Sequence, residues 1–223
     1  MQYLVIVAHP DDEVLGAGET IHRLVSDGHS VAVAIMATHA AARANISETL
    51  TVDEANAMSI LGVEKVYHAD FPNIKMNTVP HLDLVQFIES CIEDWKAEAI
   101  ITHHPSDVNI DHQETSKAAI AACRLFQRTT SISPLRLFAY MEVPSSTEWS
   151  LNTAENRFQP NMFYEIGKEG IEKKLEALAA YSGVMRPYPH PRSKEAITGL
   201  AAYRGGQSGL NYAEAFEIVF RSK

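Results

Sequence analysis

The sequence predicts an α/β fold, a Rossmann-like and mostly parallel sheet with helices on both faces, built as a single domain. Three observations predict it. Short apolar runs rich in Val, Ile and Ala alternate along the chain with segments whose apolar residues recur at helical spacing. The early runs are apolar throughout rather than at alternate positions, as strands buried on both faces require. The length of 223 residues suits one α/β domain and suffices for a sizeable core, so one domain is expected over 1–223.

Residues 3–8 read as the first strand. Residues 13–27, with apolar positions at Val14, Ile21, Leu24 and Val25, read as an amphipathic helix stopped by Gly28. A second buried strand is expected at 30–37. Thr51-Val52-Asp53-Glu54 has the form of a capping box and predicts a helix starting there and ending near Leu61-Gly62. Lys65–His68 reads as a third strand, His81–Trp95 as a helix, and 99–102 as a fourth strand that runs into a polar loop, 103–111. A helix over 112–126 follows, with Asp111 and Glu114 spaced as N-cap and third residue, and then a fifth strand over 136–141. Composition shifts to Ser, Thr, Asn, Glu and Pro beyond Pro144, so 143–160 reads as a lid or an insertion. A strand over 161–166, helices over 168–181 and 193–204, a flexible loop Gly205-Gly206-Gln207-Ser208-Gly209, and an apolar end at 218–220 complete the chain.

Nineteen basic against 28 acidic residues leave a net charge of −9, and the basic residues are scattered. A surface of that kind argues against nucleic acid as a partner. No charged leader with a small-residue cleavage site opens the chain and no apolar stretch reaches membrane-spanning length, so a cytoplasmic protein without a membrane partner is expected. Cys91 and Cys123 fall among helically spaced apolar residues and read as buried free thiols.

In such sheets ligands sit at the carboxyl ends of the strands. Two polar clusters lie at that edge, about a hundred residues apart: His9-Pro10-Asp11-Asp12-Glu13 after the first strand and the loop ending in Asp111-His112 after the fourth. Pro10 fixes one backbone angle and forces a turn, so Asp11 and Asp12 point in different directions and can hold separate jobs. A His and an Asp on that turn, joined by the distant His112, make a three-ligand set that leaves a position open for water. Zinc in such a set lowers the pKa of its water to about 7 and polarises a carbonyl, which amide hydrolysis needs; the carboxylate off the metal serves as general base. Spacing alone leaves open which aspartate takes which role. A helix cap would not need this cluster.

Ala8-His9-Pro10-Asp11-Asp12-Glu13 with Leu15-Gly16-Ala17-Gly18-Glu19, and Asn109-Ile110-Asp111-His112 further on, resemble the N-acetylglucosaminyl-deacetylase family, also called PIG-L or LmbE-like. Leu200-Ala201-Ala202-Tyr203-Arg204-Gly205 and Tyr212-Ala213-Glu214-Ala215-Phe216 extend the likeness to nearly the whole chain. The resemblance implies a zinc-dependent deacetylase, one Zn2+ per chain, acting on N-acetylated amino sugars or their conjugates. It implies that His9, Asp12 and His112 hold the metal and that Asp11 is the general base. In members from thiol-cofactor biosynthesis the residue three before the last ligand is often a His that steadies the oxyanion. Here it is Asn109, whose amide donates a hydrogen bond but delivers no proton. The alternatives are an amidase for a larger sugar-thiol conjugate and a catalytically silent sugar- or metal-binding protein.

Asp111 reads either as an orienting neighbour of a ligand or as a helix cap. Of His103 and His104, at least one reads as a structural loop histidine. His190, stiffened by Pro189 and Pro191, is expected to contact substrate or donate a proton, with Arg192 beside it as a substrate contact. Arg43 and Asp70, in the loops after the second and third strands, are further substrate candidates, and Asn73 a weaker one; a solvated arginine is the plain reading of Arg43. Gly16-Ala17-Gly18 falls inside a helix rather than in the strand-to-helix turn, which excludes a dinucleotide loop. A small sugar substrate and a homo-oligomer are the expected partners.

Overall fold

A computed structural model describes residues 1–37, 50–151 and 156–222. Among these residues seven strands form one sheet in the order β3-β2-β1-β4-β5-β7-β6. They are β1 Gln2–Val7, β2 Ser30–Ile35, β3 Lys65–His68, β4 Ala99–His103, β5 Leu137–Met141, β6 Met162–Glu165 and β7 Ala213–Arg221. The first five run parallel, while β7 pairs antiparallel with β5 and β6.

Alternation along β1 divides the core between the faces. Tyr3, Val5 and Val7 face α1 (Asp12–Ser26), α2 (Leu50–Leu61), α5 (Gly167–Ala180) and α6 (Lys194–Ser208). Leu4 and Ile6 face α3 (His81–Trp95) and α4 (Ile110–Ala122). Both sets are buried, and each such side chain contributes about 1.5–3 kcal/mol of transfer free energy. Cys91 and Cys123 are free and buried as expected, and burial pushes the Cys91 thiol up to about 12. No helix among the described residues is long and apolar enough to cross a membrane.

The chain leaves β1 toward β2 and β3 on one side and returns through β4 toward β5 on the other, so β1 and β4 flank the point where strand order reverses. Loops leaving two such neighbours diverge and open a crevice between them.

Four local readings need correction. Thr51 lies inside α2 rather than capping it; Asp53 and Glu54 turn to Ser182 N (2.9 Å) and His68 Nε2 (2.7 Å). At α4 the cap is Asn109, whose Oδ1 accepts the Asp111 N–H at 2.9 Å, so the helix starts at Ile110 and Asp111 turns inward. The same helix closes at Ala122, with a separate 3-10 turn at Leu125–Gln127. Gly205 and Gly206 belong to α6, which continues to Ser208 and stops at Gly209 with φ 74°. A Cβ on Gly205 would lie 2.7 Å from Tyr212 N and 2.8 Å from Leu210 O, so glycine there permits close packing rather than flexibility.

Candidate metal centre and active site

The turn after β1 sets the site. Asp11, the residue before α1, has φ 99° and ψ −26°, a left-handed conformation that is costly for a residue with a Cβ. It sends the two aspartates apart. Asp12 Oδ2 lies 3.3 Å from His9 Nδ1 and 3.1 Å from His112 Nε2, and accepts the His9 N–H at 3.0 Å. Asp11 Oδ2 instead accepts from Arg192 Nη1 at 2.9 Å.

Each imidazole is held by a carboxylate at its other nitrogen. His9 Nε2 is 2.9 Å from Asp111 Oδ2, and Asp111 is itself fixed by the N–H groups of Ile74 (2.5 Å) and Met76 (3.0 Å). His112 Nδ1 is 3.1 Å from Asp107 Oδ2. Asp107 also accepts from Asn109 N (2.8 Å), Thr147 Oγ1 (2.8 Å) and Ser146 Oγ. Carboxylates placed there fix the ring orientation and tautomer that a metal-binding histidine requires.

His9, Asp12 and His112 each offer one ligand atom, all within 4.8 Å of one another, and this His₂Asp donor set fits a divalent transition ion such as Zn2+. His103, Asp107 and His112 also cluster within that distance, but His103 Nε2 and the Asp107 carboxylate are already engaged, and His103 Nδ1 is buried without a hydrogen-bond partner among the described residues. His103 Nε2 accepts the Ala8 N–H at 2.8 Å, and Asp107 carries the four contacts above. His103 is a structural histidine stacked 3.8 Å from His112, and burial with the His112 charge lowers its pKa to about 3.

Charge agrees with geometry. Burial opposes the imidazolium of His9 and of His112, yet the surrounding carboxylates raise their pKa values to about 9 and about 10. Burial raises Asp12 too, but the imidazoles outweigh it and hold the carboxyl well below its usual range. Asp11 goes the other way: burial lifts it to about 6 against the pull of Arg192. A carboxyl near neutrality is suited to exchange a proton.

The site opens into a pocket of about 570 Å³ whose lining includes His9, Asp11, Asp12, Asn73, Asn109, His112 and Arg192. Seven sequence candidates thus meet in one place. His190 is exposed and outside that lining; its Nδ1 accepts the Arg192 N–H at 3.0 Å, so it braces the loop carrying Arg192. Asp70 is also outside the lining and exposed, in an isolated bridge with Ala37. Arg43 lies outside the described residues.

Sequence reasoning missed Asp107, Ser145 and Glu13. Asp107 sits five residues before His112 in an evidently polar loop, but its hydroxyl partners come from the segment after β5. There, Ser145 Oγ accepts from Arg192 Nε at 2.7 Å, so the start of the expected lid is part of the site wall. Glu13 is fully buried; its Oε2 accepts the Asp11 N–H at 3.2 Å and its Oε1 the Tyr181 hydroxyl at 2.7 Å. Burial pushes its carboxyl up to about 8 against the pull of that hydroxyl.

A family model described as PIG-L, GlcNAc-PI de-N-acetylase, matches residues 4–123. The uncharacterized deacetylase YaiS of Escherichia coli (strain K12) is 28% identical over 180 residues, covering 78% of this chain and 87% of YaiS. Among solved structures, N,N'-diacetylchitobiose deacetylase from Pyrococcus horikoshii superposes with a TM-score of 0.77 at 20% identity, covering 98% of this chain and 83% of that one. GalB, the 4-carboxy-2-hydroxymuconate hydratase of Pseudomonas putida KT2440, superposes with a TM-score of 0.80 at 19% identity, covering 100% and 97%. A hydratase on the same fold means that the reaction must be argued from side chains.

Proposed function

The chain belongs to the PIG-L (GlcNAc-PI de-N-acetylase) family of deacetylases, and on that footing we propose that it is a zinc-dependent N-deacetylase. Its substrate in this reading is an N-acetylated amino sugar or sugar conjugate, hydrolysed to acetate and a free amine. One observation carries the reading: Asp12 Oδ2 faces both His9 Nδ1 and His112 Nε2, while its neighbour Asp11 is turned away onto Arg192. Binding alone would not need that second carboxylate.

His9, Asp12 and His112 would hold the ion, which when bound supplies a Lewis acid for the amide carbonyl and a more acidic water. The rest falls to the chain. Arg192 occupies Asp11 Oδ2 and leaves Oδ1 to take a proton from the attacking water. The same carboxyl returns that proton to the nitrogen as the C–N bond breaks, since His190 lies outside the pocket lining with its Nδ1 engaged by the Arg192 N–H. Asn109 spends its Oδ1 on capping α4, so its NH₂ is the end that can donate to the amide oxygen as charge grows there.

Acetate release from N-acetylglucosamine conjugates, measured with and without a chelator, tests the reading. Asp11→Asn is expected to keep its zinc and lose turnover by about 10²–10⁴-fold, the usual worth of acid–base catalysis. His112→Ala is expected to lose the metal. Full activity after metal removal, or wild-type turnover in Asp11→Asn, refutes the mechanism.

A further inference from the structure

We infer that Tyr181 is a positioning residue for Asp11, acting through Glu13 to hold the strained turn that separates the base from the ligand Asp12. Tyr181 is far from the site in sequence, at the end of α5 and outside the stretch matched by the family model. It is 2% exposed, and a tyrosine hydroxyl buried so deeply needs a partner. The partner is Glu13, whose two oxygens divide between the Tyr181 hydroxyl at 2.7 Å and the Asp11 N–H at 3.2 Å.

The division matters because Asp11 would not keep φ 99° unaided. Its N–H is drawn to Glu13, its carbonyl accepts Leu15 N at 2.9 Å, and its carboxylate is drawn to Arg192. Tyr181 stops the Glu13 carboxyl group from rotating away from the first of these anchors. The tyrosine is anchored in turn, since Asp53 Oδ2 accepts the N–H of the next residue, Ser182, at 2.9 Å. Helices α2 and α5 thus reach the base without touching the pocket.

Tyr181→Phe keeps the ring and removes only the hydroxyl. A base displaced by as little as 1 Å costs up to about 10²-fold. The variant is therefore expected to lose kcat by about 10–100-fold, with KM and zinc content unchanged. In an Asp11→Asn background it should cost nothing further, because both changes act on one group. A crystal structure of Tyr181→Phe should show Asp11 out of its left-handed conformation and apart from Arg192. Glu13→Met, which removes both oxygen acceptors, should reproduce the kcat loss. An unmoved Asp11 turn, an unchanged kcat, or an equal loss in the Asp11→Asn background overturns the inference. The kinetic arm rests on the deacetylase reading and the crystallographic arm does not, so wild-type turnover in Asp11→Asn alone would sink that reading and leave the turn to decide on Tyr181.

Discussion

Replacing Glu19 by Gln should stabilise the protein, and increasingly so from pH 5 to pH 8. Glu19 lies in α1 on the side of α5, 1% exposed, and neither of its carboxylate oxygens has a hydrogen-bond partner among the described residues. One cation serves two carboxylates here. Lys174 Nζ is 2.6 Å from Glu214 Oε1, and Glu214 also accepts Thr20 N at 2.8 Å, so a charge on Glu19 would be surplus. Burial first, and then the Glu214 charge, raises Glu19 from 4.5 to about 8, with Lys174 opposing. Between those values the unfolded chain has released a proton that the folded protein keeps, so stability falls as pH rises through the window. Each pH unit is worth about 1.4 kcal/mol, and some of the loss is shared with Glu214 and Lys174, which leaves about 2–3 kcal/mol at pH 7. A neutral Gln removes that loss and should raise Tm by about 4–10 °C at pH 7, with little change at pH 5. Urea or thermal unfolding of both proteins at pH 5, 6, 7 and 8 measures it, because titrations common to both cancel. A difference that is flat with pH, or a Gln variant less stable at pH 8, refutes the reasoning.

Asp107→Asn should weaken metal affinity about 10–100-fold, read by chelator competition, because the carboxylate that orients His112 at 3.1 Å is lost. Gly205→Ala should cost about 1–3 kcal/mol in denaturant unfolding, since its methyl meets Tyr212 N and Leu210 O below 3 Å. Gly206→Ala, with nothing within 4 Å of the new methyl, should be neutral or gain up to about 1 kcal/mol. Equal losses at both glycines would mean that α6 frays there instead of packing.

Strands β1, β2, β4 and β5 were legible because they are largely continuous apolar runs, whereas β7, interrupted by Glu214 and Glu217, read only as an apolar end. The meeting of His9, Asp12 and His112 was legible because both polar clusters end neighbouring strands. Residues whose partners are distant in the chain were not. Asp107 looks like one more polar loop residue until Ser146 and Thr147 arrive from beyond β5. Asp111 and Glu114 imitate a capping pair, yet Asn109 caps because Asp111 is drawn to His9 and to the N–H groups of Ile74 and Met76. The pair Gly205-Gly206 suggests flexibility by composition alone; the turn that requires the first glycine is visible only once α6 and β7 pack.

The two adjacent aspartates carry the same argument into the chemistry. As residue types they are identical, and nothing in their spacing assigns them opposite charge behaviour. A single backbone angle does: at φ 99° Asp11 leaves the imidazoles to Asp12, which their charge holds well below the usual carboxylate range, while Asp11 rises to about 6 in a part-buried position at the pocket wall beside one arginine. The two carboxylates therefore differ by their turn rather than by their chemistry. Whatever holds the turn, from Glu13 to the end of α5, supports that difference as much as the partners of the carboxylates themselves do.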